Sequence, residues 1–334
     1  MPPPGGSAAR GRVPRVSGGR RMIAYLVRRI LAVIPVMGIV VVIVFVLIRI
    51  SPGDPAAIIA GDYATPEAVQ KIRVAMGLDK PIYTQFWIYL NDLAHGRLGT
   101  SLHSGLPVIR LIGQRAEVTA VLAFLTLLFS VLMAVPLGIL AGWKRGTWID
   151  QSAMVFAVVG FSMPTFWLGF LLIKVFSINL HWLPVQGYRS PTEGLWPFIA
   201  HLILPVFGLA VGYMALLARI TRATVIDVLN SDYIRTAYAK GATHRTVLFI
   251  HALKNAAVPV VTTVGVGLAL LLSGAVITES VFALPGLGRL TVDAVLQRDY
   301  TIIQGVTLIF SFVYVVINLL IDLSYTFFDP RIRY

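Results

Sequence analysis

Apolar residues in this 334-residue chain fall into six runs of about twenty. A run of that length crosses the hydrocarbon of a bilayer as a helix. Within lipid a helix satisfies all its backbone donors and acceptors internally. The runs cover 30–48, 118–142, 152–176, 199–219, 258–282 and 302–325. Only 13% of residues are charged, against about 25% in a soluble globular chain, so there is too little polar surface for a fully hydrated exterior. The expected fold class is all-α: a polytopic membrane protein with six transmembrane helices. The absence of cysteine excludes disulfides and thiolate metal sites, and no metal is expected.

The formal charge is +13. In a soluble chain that would point to nucleic acid. Here it is read as topology, and no nucleic-acid partner is expected. With the N-terminus in the cytoplasm, the inner side holds Arg10, Arg12, Arg15, Arg20, Arg21, Arg28 and Arg29. Lys144 and Arg145 follow, then Arg219, Arg222, Arg235, Lys240, Arg245 and Lys254, and finally Arg331 and Arg333. Two outer loops hold only Arg189, Arg289 and Arg298, and the long first outer loop balances its cations with Asp54, Asp62, Glu67, Asp79 and Asp92. Both termini are therefore expected inside.

Four regions follow. Residues 1–21, rich in Pro, Gly and Arg, read as a disordered basic cytoplasmic tail, able to touch anionic membrane lipid. Residues 22–50 carry a first transmembrane helix, which is too long for a cleaved signal segment. Residues 51–117 form an extracytoplasmic subdomain. In it, PEAVQKIRVAMGL predicts a helix capped by Thr65 and ended by Gly77. A second stretch places Phe86, Tyr89, Leu90 and Leu93 at helical spacing. Residues 118–334 form a five-helix core with a polar cytoplasmic loop over 220–257.

That loop contains YIRTAYAKGATHRTVLFIHALKNAAVP, residues 233–259. Ile234, Ala237 and Tyr238 share one helical face, with Arg235 and Lys240 off it. Gly241 suits the left-handed end of a helix, and Thr243 can cap a second one. In that second helix Val247, Ile250, His251 and Lys254 share a face. The pattern reads as two short helices with a glycine corner. An ordinary solvated loop or a headgroup-lying helix would show the same residues.

RTAYAKG and HALKNAAVPVV in this segment resemble the coupling loop of binding-protein-dependent ABC transporter permeases, in the dipeptide/oligopeptide/nickel branch, whose loop reads RTAxAKG…HALxNAxxPVV. Arg235, Thr236 and Ala237 stand where the wider family has E-A-A, and Gly241 matches its glycine. His251, Leu253 and Lys254 stand where the wider family has I-x-L-P. RISPGDPA, GLDKPIYTQFWIYLNDLAHGRLGTSL, ITESVFALPGLGRLTVDAVLQRDYTIIQG and LIDLSYTFFDPRIRY resemble the same branch, in order, from residue 22 to the end. The long first outer loop fits the first of the two permease subunits.

The resemblance implies a type I importer permease fold in a bacterial inner membrane. It also implies a sibling six-helix permease, two cytoplasmic P-loop ATPase domains and an extracytoplasmic substrate-binding protein. Its implied cargo is a di- or oligopeptide, with nickel or another small solute as the alternative. The coupling role falls on Arg235, Thr236, Ala237, Tyr238, Lys240, Gly241, Thr243, Arg245, His251, Leu253 and Lys254. The chain itself has no G-x-x-x-x-G-K-[ST] phosphate cradle. It is therefore read as a non-catalytic transport subunit with no cofactor of its own; ATP and Mg belong to the partner ATPases.

Residues for the translocation pathway are less sharply marked. Pro136, Pro164 and Pro205 are expected to interrupt helices two, three and four. Ser162, Met163, Pro164, Ser273, Glu279 and Asp322 are pathway candidates. Gly265, Gly267 and Gly274 serve either lining or close packing. Lys174 can snorkel. A proton-coupled secondary transporter would carry a mid-membrane relay of acids or histidines, whereas the acids here sit near span ends. A membrane enzyme would need a nucleophile or metal motif; G-x-S-x-G and H-E-x-x-H are both absent.

Overall fold

A computed structural model describes residues 18–50, 55–60, 64–75 and 77–328. Most of the expected N-terminal tail, parts of the first loop and the last six residues, with Arg331 and Arg333, lie outside the described residues. So do the side chains of His251 and Lys254.

The chain begins with α1 (Gly18–Ile50). Three short helices follow: α2 (Pro55–Ala60), α3 (Pro66–Ala75) and α4 (Ile82–Ala94). Thr65 caps α3, its Oγ1 accepting from the Ala68 amide at 3.3 Å, and Gly77 takes the left-handed conformation beyond its end. The expected apolar stripe of α4, Phe86, Tyr89, Leu90 and Leu93, packs on Val41 and Val44 of α1. Phe45 anchors it with ring contacts of 4.9 Å to Phe86 and 5.6 Å to Tyr89. The Arg49 guanidinium covers the Phe45 ring and donates to Gln85 Oε1 at 2.7 Å.

The core comprises α5 (Val108–Trp143), α6 (Trp148–Ser162), α7 (Thr165–Leu172) and α8 (Leu195–Leu229). Helix α8 is the axis: Leu204, Leu209, Leu217 and Ala218 bury against Leu122 and Ala134 of α5, Leu168 of α7 and Leu271. Gly138 and Gly142 of α5 lie against Ala218, Thr221 and Val225 of α8. This is how membrane helices approach closely.

Two expectations about length change. The first loop ends at 107 rather than 117, because α5 starts at Val108. Val108, Leu111 and Ile112, at helical spacing, bury against Leu287, Leu290, Ile302 and Val306. Arg110 between them is exposed, while Arg115, one turn further on, lies 3.9 Å from Asp293. At the other end α8 continues to Leu229, because Val225 is buried with Leu248, Ala252 and Ala256.

The prolines also separate. Pro136 and Pro205 lie inside continuous helices, Pro136 exposed and Pro205 buried. Only Pro164 breaks its span. Met163 before it is extended (φ −78°, ψ 125°), as the residue preceding proline favours. The expected third span is thus a pair, α6 and α7, bent by 100°. Among the described residues five helices are long and apolar enough to cross a membrane, or six with this broken pair.

The remaining α-helices are α9 (Asp232–Ala239), α10 (His244–Thr246), α11 (Leu253–Val281), α12 (Leu287–Leu296) and α13 (Tyr300–Phe328). A π-helical segment, Val247–Ala252, joins α10 to α11 without a gap. The second polar helix of the 220–257 loop is therefore the root of the fifth span rather than a separate short helix.

Candidate functional site

The polar elbow between α8 and α11 is built from local rules. Helix α9 ends at a Schellman turn: the Ala242 amide donates to Ala237 O at 3.1 Å and the Gly241 amide to Tyr238 O at 2.9 Å. That turn needs a left-handed residue, and Gly241 has φ +86°. Thr243 then caps the next helix, accepting from the Thr246 amide at 3.3 Å.

Three features hold the elbow in place, two toward the core and one across its own corner. Ile234 is buried. Asn255 Nδ2 of the side chain donates to Tyr233 Oη at 2.9 Å, joining α9 to α11. Tyr238 Oη lies 2.9 Å from His244 Nδ1 across the corner, with the rings edge to face. Beneath, Val225, Leu248, Ala252 and Ala256 form a small apolar cluster with Ile139 of α5.

The expected faces are partly right. Ile234 and Ala237 turn inward, Tyr238 is partly exposed, and Arg235, Thr236, Lys240, Gly241, Thr243 and Arg245 are exposed. In the second helix Val247 is buried but Ile250 is exposed. The π segment holds more residues per turn than an α-helix, so the buried stripe passes to Leu248, Ala252 and Ala256 instead. Leu253 is half-buried; His251 and Lys254 are placed by backbone only, at the π segment and the start of α11.

One ion pair near the elbow was not legible in the sequence. Arg222 of α8 grips Asp150 of α6: its Nη2 donates to Asp150 Oδ2 at 2.8 Å, and its Nε bonds Oδ1. Asp150 also accepts from the Gly146 amide at 2.9 Å. The two residues are far apart in sequence, and nothing in the pattern couples them.

The pathway candidates do not converge. Ser162 lines a cavity between α6 and α8, and its hydroxyl donates to Val158 O at 2.8 Å. Met163 packs on the core and Pro164 is exposed at the break. Ser273 lines a separate cleft of about 440 Å³ among α1, α11 and α13. Asp322 of α13 pairs with Arg29 of α1. Gly265, Gly267 and Gly274 meet Ile321, the Tyr213 ring and Leu209, so they serve packing.

Glu279 departs most from the expectation of a lining residue: it has no exposed surface. Thr119 Oγ1 donates to its Oε1 at 2.6 Å, and the Arg289 amide donates to Oε2 at 2.9 Å. Thr119 in turn accepts from the Leu287 amide at 2.8 Å. Glu279 and Thr119 together cap α12 from outside its own sequence. Gly286 lies against the carboxylate so closely that any Cβ there would collide with it. The capping groups lie across a turn and on another span, which no local pattern connects.

The described residues thus form a helical bundle with five or six segments able to cross a membrane and a polar elbow between two of them. The family model for "Binding-protein-dependent transport system inner membrane component" matches residues 134–334. Its N-terminal companion matches residues 22–123. The probable peptide ABC transporter permease protein y4tP of Sinorhizobium fredii is 48% identical over 310 residues, 93% of this chain and 99% of that protein. The dipeptide transport system permease protein DppB of Alkalihalophilus pseudofirmus is 40% identical, over 94% of this chain and 100% of that one. The glutathione transport system permease protein GsiC of Escherichia coli is 43% identical over the same shares. A solved inward-facing structure of the MetNI methionine ABC transporter shares the fold, with a TM-score of 0.55 and 17% identity over 66% of this chain and 97% of that one. The chain belongs to the family of inner-membrane components of binding-protein-dependent transport systems.

Proposed function

We propose that the chain is the transmembrane permease subunit of an ATP-driven importer, forming half of the path for di- or oligopeptides handed over by an extracytoplasmic binding protein. The other half is a sibling six-helix permease. Two P-loop ATPase domains bind ATP and Mg on the cytoplasmic side, where both termini and the elbow lie. The excess of cations at that end supports this orientation. Relatives named for peptides, dipeptides and glutathione support the cargo.

In this reading α9 is the element that meets the ATPase, and the observation that carries it is mechanical. Helix α9 is clamped by Ile234 and by the Tyr233–Asn255 hydrogen bond, and its corner leads through a gapless helix into the fifth span. A push on α9 moves the end of α11 with it. Tyr238 supplies a partly exposed ring for a groove in the partner, while Arg235, Lys240 and Arg245 set orientation at the rim. His251, Leu253 and Lys254 carry the movement into the span. Alternation between two packed arrangements then follows ATP binding and hydrolysis.

The test is co-purification from native membranes in mild detergent. A sibling permease and a P-loop ATPase should co-elute with the tagged chain, and the ATPase alone should be lost from Arg235→Glu/Lys240→Glu. Recovery of the chain by itself from intact membranes would contradict the reading.

A further inference from the structure

Helix α4 packs on its neighbours with only one of its faces. Phe86, Tyr89, Leu90 and Leu93 point at α1. At helical spacing Tyr83 and Trp87 then fall on one flank, Gln85 and Asp92 on the other, and Thr84, Ile88 and Asn91 on the back. The polar flank is partnered: Gln85 bonds Arg49, and Asp92 pairs with Arg97. The aromatic flank is open. Tyr83 and Trp87 are each 67% exposed, and Ile82 at the start of the helix is 60% exposed. Large apolar side chains left open in this way need a covering of their own kind.

The partners of α4 on α1 fix its depth. Val41, Val44 and Phe45 lie inside the apolar stretch Val27–Leu47 that marks the first span. Arg49 follows one turn after Phe45, where a long cation reaches from the end of a span to the headgroups. Helix α4 therefore lies beside the last turns of the span, not beyond them. Irregular backbone at that depth has to be satisfied within the chain. The turn before α4 meets this condition, because Gln85 Nε2 donates to Leu78 O at 3.3 Å and to Lys80 O at 2.8 Å. The open flank also extends the apolar surface of the span itself, where Val42, Ile43, Val46 and Leu47 are exposed.

We propose that α4 lies in the boundary layer of the bilayer, with Tyr83 and Trp87 set among headgroups and upper acyl chains. The ligand of this surface is phospholipid. Tyr and Trp suit it because each has an apolar body and a polar tip. The helix then pins the first loop to the membrane as well as to Phe45. In the orientation proposed above this is the outer leaflet, but the depth of α4 does not depend on that orientation.

The tagged chain, with the subunits that co-purify, is reconstituted in vesicles of phosphatidylethanolamine and phosphatidylglycerol. Trp87→Cys, Tyr83→Cys and Asp92→Cys each supply the sole cysteine of this chain, and each carries a nitroxide spin label. Signal from the unsubstituted complex, labelled only on the co-purified subunits, is subtracted. Power saturation compares collisions with oxygen, which concentrates in lipid, and with a water-soluble nickel chelate. The ratio of oxygen to nickel collisions should be severalfold higher at Trp87→Cys and Tyr83→Cys than at Asp92→Cys. Equal ratios on the two flanks would overturn the proposal. Weak collision with both reagents at Trp87→Cys and Tyr83→Cys would mean that a protein subunit covers this flank, also against it.

Discussion

Two connections in this chain turn between long helices, and they are built in opposite ways. Between α11 and α13 the chain folds inward: Leu284 and Leu287 are buried, and Glu279 and Asp299 have no exposed surface. Asp299 accepts from Ser101 Oγ at 2.6 Å and from the Leu102 amide at 2.9 Å, as Glu279 accepts from Thr119 and Arg289. Between α8 and α11 the chain turns outward, anchored by Ile234 and leaving Arg235, Thr236, Lys240 and Arg245 exposed. Polar groups satisfied inside the chain specify a shape. Exposed polar groups on a corner are free to meet water or a partner. The first connection is therefore a fixed clamp, and the second, in the function proposed above, the docking elbow.

Breaking the clamp should have the largest effect on stability. Glu279→Ala removes an acceptor from Thr119 Oγ1 and from the amide at Arg289, leaving buried donors unpaired, and should cost about 3 kcal/mol or more. Thermal unfolding of the purified complex would show it, with Glu279→Gln falling between the two. A normal melting temperature in Glu279→Ala would mean that the buried network is dispensable.

Next in size is the Arg222–Asp150 pair that ties α6 to α8 beneath the elbow. Asp150→Ala strands a partly buried guanidinium and should destabilise by about 2 kcal/mol. Asp150→Ala/Arg222→Met should recover much of that loss in the same unfolding assay, because neither charge is then left alone.

The elbow should respond in function before it responds in stability. Gly241→Ala places a side chain at φ +86°, with open space around it, and should cost only about 1 kcal/mol. Gly241→Pro also removes the amide that bonds Tyr238 O and cannot adopt that φ. It should insert normally yet uncouple ATP hydrolysis from uptake. Uptake at the wild-type rate per ATP in that variant would count against α9 as the coupling element. Smallest of all, Asp232→Ala breaks only an exposed 3.4 Å contact with Arg235, and its effect on stability should stay below about 0.5 kcal/mol.

The contrast also shows what the sequence made legible. Features governed by neighbours within a turn were readable: the Thr65 cap, the α4 stripe, the Gly241 corner and the Thr243 cap. Features governed by another span were not. Pro136 and Pro164 look alike in sequence, yet α5 is held straight against α8 while the third span breaks. The π segment moves the buried stripe off Ile250, a change of phase that an α-helical reading does not contain. Glu279 read as a lining residue because its partners, Thr119 and the start of α12, lie on another span and across a turn. Arg222 read only as one of the inner-side cations, because its partner Asp150 lies 72 residues away in the chain.

The docking role proposed for the elbow is tested most directly by proximity, using the absence of native cysteine in this chain. Tyr238→Cys, on the exposed corner, would be oxidised in native membranes alongside ATPase subunits carrying single cysteines along a surface groove. A disulfide between Tyr238→Cys and the ATPase, with a yield that changes when ATP is added, is the predicted result. A thiol that forms no such bond, and that reacts with a water-soluble maleimide equally well with and without the ATPase present, would contradict it.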